Sequence, residues 1–250
     1  MNNVIKCVLD IGEQMLLCGG EVHRTEDSMS RICYACKAKK VEIFTITSLI
    51  VLTLEDEGGN IYTQIREVNN GSSNMEMLHM LNSLSRQICK MGCIPEDFDE
   101  RLENIKNTNK YRKLIMLFAN ALMASSFTIF FGGSFLEAGI ALLAGGIVYL
   151  VALLAERAHF NNIFSKLLSS TSAAIIAFAA LKIGLVASVD MIMIGCIMLM
   201  IPGTGLTNAL RDLFVGDSIA GMLRTTDALL STLAIAMGYF VVAFIAGGAA

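Results

Sequence analysis

Charge is scarce in this sequence. Asp, Glu, Lys and Arg make up 16% of its 250 residues against 54% apolar, and mean hydropathy is +0.61. That excludes a fully soluble enzyme and an intrinsically disordered chain. Neither sign of charge dominates: the net charge is −3 and there is no basic stripe, so no nucleic-acid partner is expected. A disulfide framework is missing too. The seven cysteines are an odd number without framework spacing, six of them in the first half, which fits a reducing compartment and excludes a secreted scaffold. The segment from Met1 to Asp10 is polar and mixed in charge with no apolar run behind a basic start, so no cleaved signal peptide is expected and the first half should stay in the cytoplasm. There is no phosphate-binding loop, no nucleophile elbow and no His-Glu-x-x-His pattern; His23, His79 and His159 are scattered. No enzyme, no cofactor and no ATP hydrolysis by this chain are expected, since no nucleophile, base and orienter set can be assembled.

What charge there is lies at one end. Residues 1–113 hold 30 charged side chains, whereas residues 114–250 hold 11. A helix needs about 20 apolar residues to cross about 30 Å of hydrocarbon, and the second part divides into five such pieces, near 114–132, 135–155, 167–187, 189–210 and 228–247. The expected fold is a membrane α-helical bundle of five transmembrane helices, residues 114–250, behind a small cytoplasmic α/β domain, residues 1–113. Lysines and arginines collect on the cytoplasmic side of short loops. Lys106, Lys110, Arg112 and Lys113 precede the first span, Arg157 and Lys166 follow the second, and Arg211 and Arg224 follow the fourth, leaving Lys182 toward the other side. The N-terminus is therefore expected inside and the C-terminus, Gly247 to Ala250, outside. An odd number of crossings gives no obvious internal inverted repeat, so a companion membrane subunit or a homo-oligomer would complete the body. Small residues in Ala119–Ser126, at Gly145 and Gly146 and in Ser169–Ala174 predict close helix packing.

The fourth span carries Pro202 and Gly203, which remove a backbone donor and stiffness, so the helix should break there. At 1.5 Å per residue Pro202 lies about 18 Å from Asp190, a little past the midplane. Freed backbone groups at that depth persist only against protein or a water-filled cavity, and broken helices of this kind form substrate sites in transporters. Thr204, Thr207 and Asn208 add polar side chains at the break; a kink that only shapes the bundle is the other reading. Beyond it, Arg211, Asp212, Asp217, Arg224 and Asp227 alternate in sign on the expected cytoplasmic lip, where they could gate a pathway or handle a proton. Read alone, any one of them is a surface charge. Glu137, Lys182 and Asp190 map near the opposite face, as an outer mouth or as interfacial groups.

In the first part, apolar spacing predicts a helix from Val4 to Leu17, stopped by Gly19 and Gly20, and a second from about Thr25 to Cys36. Val41–Thr47, Leu49–Leu54 and Ile61–Val68 read as strands, the last two joined by a hairpin at Glu55–Asn60. Asn74–Met91 and Glu96–Asn107 read as helices. Glu21, Arg24 and Glu26 fall around a helix start, where Glu21 and Arg24 could pair at i,i+3 or, alternatively, make an internal contact with the pore mouth. Cys33 and Cys36, with Cys89 and Cys93, have zinc-like spacing, but Cys33 and Cys36 share a stripe with Met29 and Ile32, and core packing is the better account.

These motifs together, G-G-E-V-H-R-T-E near the N-terminus, then I-P-G-T-G-L-T-N-A-L-R-D and G-M-L-R-T-T-D before the last span, make a chain that resembles the threonine/serine exporter family over nearly its whole length. The matching positions are Gly19 or Gly20, Glu21, Arg24 and Glu26, then Pro202, Gly203, Asn208, Arg211, Asp212, Gly221 and Arg224, with Asp227 as the acidic residue. The resemblance implies export of small polar metabolites across the bacterial plasma membrane, coupled to the proton gradient. Fused members carry a second set of spans, so this chain looks like the split form, whose short companion membrane protein completes the transporter. Split members are associated with dicarboxylates such as succinate as well as with threonine and serine. A membrane-anchored sensor or hydrolase acting through the cytoplasmic domain is the alternative reading.

Overall fold

The computed structural model describes residues 1–69, 71, 73–107 and 111–247; Lys110 and residues 248–250 of the expected outer end lie outside them. In chain order the elements are α1 (Asn2–Leu17), α2 (Val22–Ala35), β1 (Lys40–Ile46), β2 (Leu49–Glu55), β3 (Ile61–Glu67), α3 (Met75–Met91) and α4 (Phe98–Lys106). They are followed by α5 (Lys113–Phe130), α6 (Phe135–Arg157), α7 (Asn162–Lys182), α8 (Asp190–Met200), α9 (Gly203–Val215) and α10 (Ser218–Gly247). The chain divides into two compact units, Met1–Lys110 with Thr204–Thr225, and Tyr111–Gly203 with Thr226–Ala250.

The first unit is built around a three-stranded antiparallel meander in the order β1-β2-β3. Strand side chains alternate between faces, and on β2 the inward set Ile50, Leu52 and Leu54 is fully buried. On α1 the apolar residues recur at helical spacing, so Ile5, Val8, Leu9, Ile11 and Met15 form one stripe that closes over the sheet together with Val22, Met29 and Ile32 of α2 and Leu81 and Ile88 of α3. Each such side chain contributes about 1.5–3 kcal/mol on burial. Ala220, from the start of α10, belongs to the same core, which is why Thr204–Thr225 counts with the N-terminal residues although residues 111–203 separate them in sequence.

The second unit inverts that logic. Its interior is rich in small residues, Ala124, Ala141, Ala144, Ala173, Ala174 and Ala177, packed with Ile192, Met193 and Ile235, while Phe118, Phe130, Phe240 and Phe244 point outward. Lipid tails are as apolar as leucine, so helices gain by close contact and not by hiding large side chains. A Cβ on Gly145 would stand 2.6 Å from the Ala124 methyl, which shows how near α5 and α6 approach. Four helices, α5, α6, α7 and α10, are long and apolar enough to cross a membrane, and α8 with α9 makes a fifth if the bent pair counts as one span.

Three helices differ in extent from the expected pieces. The third span was placed at 167–187, but α7 starts at Asn162 because the Asn161 side chain accepts from the Ile163 amide at 3.2 Å, and it stops at Lys182 before Gly184, whose φ is 79°. The second helix starts at Val22 and not at Thr25. The last span was placed at 228–247, yet α10 runs from Ser218 for 30 residues. Hydropathy marks only the lipid-compatible part, whereas the helical backbone continues through the charged turns. At about 45 Å the helix exceeds the hydrocarbon by about ten residues, and the unit boundary at Thr225 and Thr226 falls in that surplus.

Candidate functional site

The site begins with two glycines that end α1. Gly19 has a left-handed φ of 83°, and a Cβ on Gly20 would meet the Met15 carbonyl at 2.7 Å. The turn needs both, because other residues pay for that backbone with strain. It leaves the Gly19 and Gly20 carbonyls pointing away from the helix. Glu21 then stands at the N-cap of α2 with extended backbone, but its side chain makes no capping bond and is free to reach elsewhere.

All three exposed groups are taken by one hairpin of helices. Asn208 Nδ2 donates to the Gly19 carbonyl at 3.1 Å, Arg224 Nη2 donates to the Gly20 carbonyl at 2.6 Å, and Arg211 pairs with Glu21. The i,i+3 pairing of Glu21 with Arg24 is not the one formed. Arg224 also approaches Asp212, with Nη1 3.3 Å from Oδ2; Asp212 is buried at 1% exposed and Arg224 is largely covered at 13%. Neither carboxylate oxygen of Asp212 has a hydrogen-bond partner among the described residues, so the Arg224 charge is what compensates it. The hairpin itself turns at Gly216, φ 107°, and Gly221 lets α10 close on α9, since a Cβ there would sit 2.6 Å from the Leu213 side chain. Asp217, in the turn, has His23 Nδ1 at 3.9 Å.

The Glu21 segment and the Asn208–Arg224 segment, read from sequence as separate motifs, are thus one polar network. Perturbing Glu21 perturbs the partners of Asn208 and Arg224, so an activity confined to the soluble domain could not be isolated by mutating Glu21 alone.

Glu26 faces another way. Its carboxyl is pushed above the usual range, first by burial and also by the Asp217 charge, while Thr45 of β1 and His23 pull it back. A carboxyl raised in the folded state holds its proton more tightly there than in the unfolded chain. Its contribution to stability is therefore full below the unfolded value of about 4.3 and is lost as pH rises through the folded value. Glu26→Gln should remove that dependence: thermal midpoints measured against pH should show the variant gaining on the parent between about pH 4 and pH 7. A variant that loses ground on the parent as pH rises over this range would overturn this account.

Under the Gly19–Gly20 turn lies a cavity of about 200 Å³, lined on its polar side by Glu21, Arg24, Asn82 and Asn208 and on its apolar side by Met15 and Leu78 among others. Nothing in the sequence around Asn82 marks it for this site, since a cavity is by nature what side chains leave unfilled.

Of the residues expected at the break, only Asn208 lines this space. Pro202 ends α8 as expected: Ile201 before it is extended, φ −62° and ψ 127°, as a residue preceding proline must be, and α8 and α9 are bent by 54°. Gly203, Thr204 and Thr207 lie exposed on the first turns of α9. Asp227 is exposed on α10 outside the network. Glu137 closes a capping box with Ser134, Asp190 sits in the first turn of α8 and Lys182 in the last turn of α7, so all three complement helix dipoles. Cys33 is buried in the core with Met29 and Ile32, and burial pushes its thiol up to about 12. Among the described residues no group of three or more His, Cys, Asp or Glu is disposed to hold a metal ion.

Membrane-length apolar helices around a helix broken at proline, with a buried ion pair just beyond the break, define a multi-pass membrane protein built as transporters are. Residues 6–246 match the family model described as “Putative threonine/serine exporter”. The chain belongs to this threonine/serine exporter family. It is also similar to a protein of Mycobacterium tuberculosis (strain ATCC 25618 / H37Rv) described as “Probable threonine/serine exporter”, 22% identical over 198 residues that cover 79% of this chain and 37% of that protein. The chain thus spans little more than a third of the length of the curated relative it matches. No solved structure matches it.

Proposed function

We propose that this chain is a subunit of a secondary exporter that moves small polar metabolites, threonine and serine or a dicarboxylate such as succinate, out across the bacterial plasma membrane at the expense of the proton gradient. The observation that carries the reading is the α8–α9 break in a member of an exporter family. An anchor has no use for a helix that stops after 11 residues, about half the hydrocarbon thickness. In this reading Pro202, Gly203, Thr204, Thr207 and Asn208 border the solute path. Arg211, Asp212, Asp217, Arg224 and Asp227 form its cytoplasmic lip, where one carboxylate exchanges a proton as the path opens and closes. The N-terminus is cytoplasmic and the C-terminus outside, following the arginines and lysines between spans. A companion membrane subunit, or a second copy, supplies the other half of the path, since five spans, with α8 and α9 counted as one, offer no inverted repeat.

The test is flux. The chain is reconstituted in proteoliposomes with and without its companion, and release of labelled serine, threonine and succinate is followed under an imposed pH gradient. Gradient-dependent release of at least one of them, abolished by a protonophore, is the expected outcome. Absence of gradient-dependent flux for all three in both preparations removes the proposal.

A further inference from the structure

We propose that the cavity under the Gly19–Gly20 turn is a binding site for a small carboxylate metabolite, with Arg24 as its charge partner. At about 200 Å³ the space is smaller than the roughly 300 Å³ at which pockets for drug-sized ligands begin, and it equals the liquid volume of about seven waters. It suits a molecule of a few heavy atoms. Its walls are fixed by the two glycines, whose backbone cannot relax outward without losing the bonds from Asn208 and Arg224.

The charges around it decide what enters. Glu21 is neutralised by Arg211, and the Asn82 amide donates to the Leu78 carbonyl at 2.8 Å. Arg24 is different: among the described residues no carboxylate pairs with it, whereas Arg31, two turns along the same helix, is held by Asp27 at 2.9 Å. A guanidinium left over at the rim of a preformed cavity presents two parallel donors, which match a carboxylate bidentately. The carbonyl oxygens of the Asn82 and Asn208 side chains can accept from a hydroxyl or ammonium group on the same ligand. A hydroxy or amino acid and a small dicarboxylate share the carboxylate that Arg24 reads, and the experiment separates them. The choice of these probes rests on the export reading; the site does not.

The full chain in lipid nanodiscs, without companion and without a gradient, is tested for saturable binding of labelled serine, threonine and succinate. Serinol, which keeps the amine and hydroxyls of serine but has no carboxylate, serves as competitor. At least one labelled acid should bind and should resist displacement by serinol. Arg24→Gln should weaken it about tenfold to a hundredfold, the loss of a charge-assisted pair, with Arg24→Lys intermediate and Arg31→Gln like the parent. Asn82→Leu, similar in size, should also weaken binding and guards against a fold defect peculiar to position 24. No saturable binding of any probe, or binding that Arg24→Gln leaves unchanged, overturns the proposal. The second result would move the ligand to another part of the chain and leave export standing, while absent flux beside intact, Arg24-dependent binding would sink export alone.

Discussion

Replacing Arg224 by alanine is expected to destabilise the N-terminal unit by about 3–5 kcal/mol, the usual loss when one partner of a buried ion pair is removed. The large value follows from what remains behind. Asp212 is 1% exposed and neither of its carboxylate oxygens has a hydrogen-bond partner among the described residues, so with Arg224 gone its charge is left buried and uncompensated. The Gly20 carbonyl loses a donor at 2.6 Å in the same step. The Glu21–Arg211 pair makes the comparison: Arg211 is 59% exposed, so Glu21→Gln should cost at most about 1 kcal/mol and less in high salt. Thermal unfolding of the purified chain followed by circular dichroism, with hydrogen exchange reporting on the N-terminal unit, reads both. The double replacement Asp212→Leu with Arg224→Met should recover most of the loss, because apolar packing substitutes well for a buried pair. A cost below about 1 kcal/mol for Arg224→Ala would show that water reaches the pair and that it holds nothing together.

Much of this architecture could be read from sequence because local rules dictate it. The three strands fall within a residue or two of the β-branched runs read as strands. Ala124, Gly145 and Ala173 were recognisable as packing positions because their size matters more in lipid than their hydrophobicity. The network at the site was another matter. Sequence proximity offers Glu21 a partner at Arg24, one helical turn away, but the structure pairs it with Arg211, 190 positions later. No spacing rule reaches that far. What the sequence did hold was a stoichiometric hint: charges of both signs beside apolar spans are costly unless paired, and the Gly-Gly-Glu segment offered two bare carbonyls and a carboxylate to meet them. Hydropathy likewise located the lipid-compatible part of α10 but not its first ten residues. The helix there is held by Ala220 in the N-terminal core and by Arg224, both tertiary contacts.

On the proposed export reading, Pro202→Ala should abolish gradient-driven efflux, down to the background leak, while leaving the fold as stable as before or more so. Proline lacks the amide that would bond back along α8 and forces Ile201 into extended backbone. Alanine removes both obstacles, and proline in a helix interior costs about 3 kcal/mol relative to it, an upper limit on what α8 and α9 could regain by joining into one rod. The rod would straighten the 54° bend on which the export reading places the solute path, so function should fall as stability holds or rises. Gly203→Ala supplies the contrast, since a Cβ there meets nothing within 4 Å and the proline remains; it should keep most of the flux. Efflux and thermal midpoint measured on the same preparations separate the outcomes. Parental flux from Pro202→Ala would mean that the interruption only shapes the bundle, and the solute path would have to be sought away from α8 and α9.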